Sequence, residues 1–186
     1  MARDAQETKR RLLTAAVAEF SAYGIAGARV DRIAATASAN KALIYAYFGN
    51  KEQLFDAAFD WLVNGTLDNV PINPDDLPGY AGKLFDRFWQ APEIVRMSTW
   101  RRLERGDEVT DLVLKSQRDK ANSIAEAQRA GKLTLSMTSY ELLSLILVIS
   151  TMWTAGNPDA ASSKFITSKK ARRQVVTGAV RALLQS

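Results

Sequence analysis

The 186-residue sequence predicts an all-helical protein, and three observations carry that expectation. Apolar residues recur at spacings of three and four along most of the chain, as in Leu13, Ala16, Val17 and Phe20, and again in Leu54, Phe55, Ala58, Phe59 and Leu62. Helix signals punctuate the pattern: Gly24, Gly106 and Gly131 stand where runs end, while Asn50 with Gln53 and Thr138 with Glu141 have capping-box spacing. No stretch alternates convincingly with a period of two, so no strand is expected. About nine helices fit this punctuation.

The first helix is read from Gln6 to Tyr23, with Lys9, Arg10 and Arg11 as a basic cluster near its start and residues Met1 to Ala5 outside it. The next stretch, VDRIAATASANKALIYAYFGNK over residues 30–51, is the most informative in the chain. Val30, Ile33, Ala34 and Ala37 give one short apolar face, and Leu43, Ile44, Tyr47 and Phe48 give a second after a break of small residues. Two short helices joined by a tight turn are therefore predicted. Asn40 sits where its side chain can cap the second helix, which starts near Lys41. A helix-turn-helix offers the first turn of its second helix to the major groove of DNA. Asn40, Lys41, Ala42 and Leu43 are thus expected at or near base edges, with Arg29, Tyr45, Tyr47 and Lys51 reaching phosphates. Tyr45 and Tyr47 cannot share one helix face, and Tyr47 is expected to be partly buried. Residues Met1 to Ala5 are expected to be mobile until DNA is present.

At these residues the sequence resembles the TetR family of bacterial repressors. The resemblance rests on Ile33-Ala34, the turn Ala37-Ser38-Ala39-Asn40, Tyr45-Ala46-Tyr47-Phe48 and Lys51-Glu52-Gln53-Leu54, and extends from about Lys9 to Phe59. Two positions depart from the family pattern: Ser38 stands where Gly is usual in the turn, and Arg29 where a Ser or Thr usually precedes the first of the two helices. The resemblance implies DNA binding as a homodimer, release by a small ligand held in the C-terminal domain, and no catalysis. It also implies that the last two helices of each subunit form the dimer interface.

The rest of the chain reads as a helical domain. A long helix from Lys51 ends before Pro71 and links the DNA-reading end to the C-terminal helices, giving domains of residues 1–50 and 51–186. Residues 70–79, with Pro71, Pro74, Pro78 and Gly79, read as a linker. Helices are then expected at about Tyr80–Gln90, Glu93–Arg105 and Glu108–Ala130. A very hydrophobic helix at Tyr140–Thr154 should be covered on more than one side, and a Gly156-Asn157-Pro158 stop and a polar loop over Asp159–Thr167 separate it from the last helix, Ser168–Leu184.

Composition narrows the function. Without Cys or His the chain has no disulfide, no thiolate zinc site and no histidine base; no cofactor or metal is expected. The net charge of +5 is concentrated in residues 1–51, where eight Lys or Arg face four Asp or Glu, as phosphate contacts require. The N-terminus has no secretory core, and the most apolar run, Leu142–Trp153, is too short for a membrane span, so a cytoplasmic protein is expected. Phe85, Phe88, Trp89, Met97, Trp100, Met152 and Trp153 fit either ordinary core or the lining of a cavity for a small, largely apolar ligand, with Arg96, Arg101 or Asn122 as polar anchors. The resulting expectation is a homodimeric repressor released from a pseudo-palindromic operator by a small effector. The alternatives are a DNA-binding dimer without an effector and a helical enzyme using Glu104 with Asp107 or Glu108.

Overall fold

The computed structural model describes residues 2–67, 70–106, 108–133, 136–153 and 168–185. Within them lie nine α-helices: α1 (Ala2–Gly27), α2 (Val30–Thr36), α3 (Lys41–Phe48), α4 (Lys51–Leu67), α5 (Leu77–Gln90), α6 (Glu93–Arg105), α7 (Asp111–Arg129), α8 (Ser139–Ser150) and α9 (Lys169–Leu183). There is no strand among the described residues. The Gly156-Asn157-Pro158 stop and the loop of residues 159–167 lie outside them, as do Met1 and Asp107.

Several boundaries differ from the sequence expectation: α7 starts at Asp111 rather than Glu108 and α8 ends at Ser150 rather than Thr154, and two further differences bear on packing. Helix α1 starts at Ala2 rather than Gln6, and it continues past Gly24 across a break in which that glycine takes φ 70°. The second difference is at residues 70–79, which are not all linker. A 3-10 turn, Pro74–Asp76, runs directly into α5, whose first turn contains Pro78. Proline is tolerated there because the first N–H groups of a helix have no intrahelical acceptor. The Asp76 carboxylate then accepts from the Gly79 N–H at 2.8 Å and starts the helix.

The chain packs as two compact units, Met1–Gly65 with Glu93–Thr110, and Thr66–Pro92 with Asp111–Ser186. In the first, α1 packs on α2 and α6, around Phe20, Ile33, Ile44, Leu54 and Phe55, all fully buried. Phe20 and Phe55 meet edge to face at 5.2 Å. Each such side chain contributes roughly 1.5–3 kcal/mol through burial. Helix α6 is tied to the break in α1: the Glu104 carboxylate accepts from the Ile25 and Ala26 N–H groups at 3.0 and 2.8 Å, and the Trp100 indole N–H donates to the Ser21 carbonyl. A side chain at position 24 would strike Glu104 and Trp100, so the positive φ and the close approach both require glycine.

In the second unit α5 packs on α8 and α9, and α7 on α8. Tyr80, Leu84, Phe85, Ile124, Leu142, Ile146, Val176 and Val180 form the core. Asp86 of α5 receives Arg173 at 2.7 Å and Lys169 at 2.9 Å from α9. Burial raises its carboxyl pKa, but the bonds from Arg173 and Lys169 outweigh this and hold it below the usual aspartate range. Helix α8 begins with the complete Thr138–Glu141 capping box. One side of it, Leu142, Leu143, Ile146 and Ser150, is buried, whereas Tyr140, Leu145 and Val148 on the helix and Met152 just beyond it remain exposed, Val148 by 68%.

Candidate nucleic-acid interface

The turn between α2 and α3 is built from small residues. Ser38 N–H donates to the Ala35 carbonyl and Ala39 N–H to the Ala34 carbonyl, both at 3.0 Å, the paired bonds of a Schellman motif. Its left-handed position falls on Ser38, with φ 48°, so the chain keeps the geometry usually given to glycine. Asn40 then caps α3 by accepting from the Ala42 N–H at 2.8 Å. Ile44 and Phe48 turn inward, and the opposite face carries Lys41, Ala42, Tyr45 and Ala46 exposed, with Leu43 and Tyr47 intermediate. The first turn of α3 holds no acidic residue.

The basic groups differ in their local partners. Lys41 Nζ lies 2.7 Å from Asp31 Oδ1, in a pair exposed on both sides, and this bond raises the lysine pKa. Lys51 Nζ donates to the Ala26 and Ala28 carbonyls at 3.3 and 3.5 Å, at the C-terminal end of α1 where helix carbonyls lack partners. Asn50 Oδ1 accepts from the Gln53 N–H at 2.8 Å and so caps α4 beside it. Arg29 makes no side-chain cap for α2.

That cap comes from a residue without a local signal. Glu19 of α1, its side chain 9% exposed, accepts from the Arg29 backbone N–H and the Arg32 guanidinium Nε, both at 2.8 Å. Arg32 also lies over the Tyr23 ring at 4.3 Å. Burial alone would raise the Glu19 pKa; the bonds from Arg32 and the Arg29 amide outweigh it and lower the carboxyl below the usual range. A second support comes from α6, where Arg105 pairs with Asp56 at 2.5 Å and lies over Phe55. Glu104, which the enzyme alternative set beside Asp107 or Glu108, serves as the cap of the broken α1. A spacing of 78 and 79 residues separates donor and acceptor, so no local pattern in the sequence signals it.

The aromatic and methionine candidates for a ligand cavity are divided between the units. Met97, fully buried, and Trp100, bonded to Ser21, belong to the first. Phe85 and Phe88 are buried in the second, where Trp89 and Met152 are partly exposed, and Arg172 lies over Trp89 at 5.4 Å. Arg101, 8% exposed, donates to the Glu108 carbonyl and leaves Nη1 buried without a partner. Asp60 Oδ1 in the first unit, and the Tyr80 hydroxyl and Trp153 Nε1 in the second, are likewise buried and have no hydrogen-bond partner among the described residues. Burial pushes the Tyr80 phenol up to about 12.

A pair of short helices around a Schellman turn, the second capped and turned outward with a lysine in its first turn, is the head of a helix-turn-helix regulatory protein. Two family models match the chain: bacterial regulatory proteins of the tetR family over residues 12–58, and the tetracyclin repressor-like C-terminal domain over residues 76–182. The chain belongs to the TetR family of bacterial transcriptional regulators. It is 37% identical over 191 residues to the HTH-type transcriptional repressor SCO4008 of Streptomyces coelicolor, covering 94% of this chain and 98% of that protein. The crystal structure of SCO4942, a transcriptional regulator from the same organism, is 38% identical with a TM-score of 0.85, covering 95% and 97% of the two chains. FadR of Bacillus subtilis, crystallised with stearoyl-CoA, shares the fold at 17% identity and a TM-score of 0.63, over 95% and 97% of the chains. Among the described residues no helix is long and apolar enough to cross a membrane.

Proposed function

We propose that the protein is a cytoplasmic homodimeric repressor that binds a pseudo-palindromic operator through α3 and is released by a small molecule. The observation that carries DNA reading is the outward first turn of α3, where Lys41 and Ala42 are exposed behind a satisfied Asn40 cap. Asn40, Lys41, Ala42 and Leu43 read or approach base edges; Arg29, Tyr45, Tyr47 and Lys51 hold phosphates. Lys41 must leave Asp31 to do so, and water screens an exposed pair of this kind so that it holds the lysine only weakly. Lys51 uses two carbonyls and keeps a third ammonium hydrogen for phosphate.

Dimerisation through α8 and α9 is supported by the uncovered apolar side of α8 together with Val175 of α9, 41% exposed. Two copies place two heads on half-sites about one DNA turn, roughly 34–36 Å, apart. The effector reading is supported by the unpartnered Tyr80 hydroxyl and Trp153 indole N–H, since a buried donor without an acceptor costs about 1–3 kcal/mol that a bound acceptor recovers. Within the second unit Phe85, Phe88, Trp89, Met152 and Trp153 remain the candidates for the apolar lining, whereas Met97 and Trp100 belong to the first unit.

The test is titration of the protein into DNA upstream of its own gene and into a random duplex, at several salt concentrations. Tight binding to the first alone, with a steep negative salt slope, is the expected result. Lys51→Ala weakens both duplexes alike, by about tenfold, and flattens the slope; Lys41→Ala also narrows the gap between them. Equal losses on both duplexes for both variants overturn this division of labour.

A further inference from the structure

The second unit holds a cavity of about 210 Å³ lined by Val70, Pro71, Leu112, Lys115, Ser116, Asp119 and Lys120. Leu112, Ser116 and Lys120 are four residues apart on α7 and so form one stripe along its face, running from an apolar end through a hydroxyl to an ammonium. Val70, itself buried, and Pro71 supply further apolar surface to the cavity. Charges here are unequal. Lys115 and Asp119 pair with one another at 2.7 Å, leaving Lys120 as the charge without a counterion among the described residues. Burial pushes the Lys120 amine below the ordinary lysine value, because its charged form is poorly solvated.

We propose that this cavity binds a small organic acid, its carboxylate on Lys120 and the Ser116 hydroxyl and its apolar body on Leu112, Val70 and Pro71. The volume lies below the ~300–1,000 Å³ of pockets for drug-sized ligands, so the acid is compact. A carboxylate restores to the half-buried ammonium what desolvation removed, and an ammonium accommodates it as a point charge without the fixed fork that arginine demands. A neutral isostere leaves Lys120 as it stands. That this acid is the effector rests on the ligand-responsive reading above; the site itself does not.

The experiment is calorimetric titration of the full chain with benzoate, phenylacetate and hexanoate, each beside its primary amide. At least one acid should bind at least tenfold more tightly than its amide. Lys120→Met should remove that preference while leaving thermal unfolding intact, and Lys120→Arg should keep most of it. No binding of any acid, equal binding of acid and amide, or unchanged binding to Lys120→Met overturns the site. An acid that binds through Lys120 yet leaves the protein–DNA complex intact keeps the site and removes its role as effector site. Release of DNA by some other compound, with no acid bound, leaves the effector reading standing and the site refuted.

Discussion

Helices α3 and α8 both leave one face uncovered, and the chemistry of the two faces is opposite. On α3 the exposed residues are Lys41, Ala42, Tyr45 and Ala46, donors and small groups without an apolar block. On and just beyond α8 the large exposed side chains are Tyr140, Leu145, Val148 and Met152, which gain little from water, with Ser144 and the Glu141 of the helix cap beside them. The first surface suits a polyanion, and the second suits its own copy. On the proposed reading, one chain serves DNA and a second copy of itself without confusing them, since neither face offers the other's partner what it needs.

The largest expected effect breaks this contrast at α8. Val148 is 68% exposed within the protomer, so Val148→Asp should barely change the stability of the folded chain. In the proposed dimer it buries a carboxylate against apolar neighbours, a penalty of several kcal/mol. The variant should sediment as a monomer and lose operator affinity by about a hundredfold or more, because one head alone contacts one half-site. A variant that stays dimeric and binds DNA normally places the interface elsewhere. Tyr45→Ala on α3 is the matching control, weakening DNA binding with the dimer unaltered.

A second contrast lies in how the helices begin. The α8 cap is local and exposed, with Thr138 and Glu141 bonding one another's backbone N–H groups. The α2 start is held by Glu19, ten residues before Arg29 and nearly buried. Glu19→Gln should therefore cost about 2 kcal/mol, the worth of a charged hydrogen-bonded group. The pH dependence has a definite sign. The Glu19 pKa is lowered in the folded protein, so its contribution is complete above the ordinary carboxylate range and is lost as pH falls through the folded value. Urea unfolding from pH 7 downward should show wild type losing its advantage over the variant below about pH 5, and a pH-independent gap would remove Glu19 from that role.

The same distinction between local and distant partners decides what was legible in the sequence. Asn40, Thr138 with Glu141, and Ser168 announce helix starts because each bonds a backbone group two or three residues away. The apolar period of α1, α3 and α4 likewise survives in the sequence as spacing. Glu19 and Glu104 could not be read, since each acts on backbone that folding alone brings near. Pro78 was misleading for a different reason: it is compatible with both a linker and the first turn of a helix, and only the Asp76 cap decides between them. On the proposed DNA face, the local spacing places Asn40 as the cap of α3 and Lys41 and Ala42 in its exposed first turn, as the structure has them. The existing partners of Lys41 and Lys51 were not legible, because Asp31 and the Ala26 carbonyl approach from separate helices.

The smallest expected effect has the opposite sign and tests the turn itself. Ser38 holds φ 48° in the position a Schellman motif usually gives to glycine. A left-handed conformation costs a residue with a Cβ about 1 kcal/mol, while glycine gains freedom in the unfolded chain that offsets part of the relief. Ser38→Gly should thus stabilise the protein by roughly 0.5 kcal/mol in urea unfolding. Operator affinity should stay the same, because the bonds from the Ser38 and Ala39 N–H groups that set the turn are backbone bonds. Should the substitution destabilise the chain, the serine side chain must make a favourable contact that outweighs its conformational strain. Should it stabilise the chain but weaken operator binding, the hydroxyl must serve DNA directly, and the exposed DNA face then extends from α3 back into the turn.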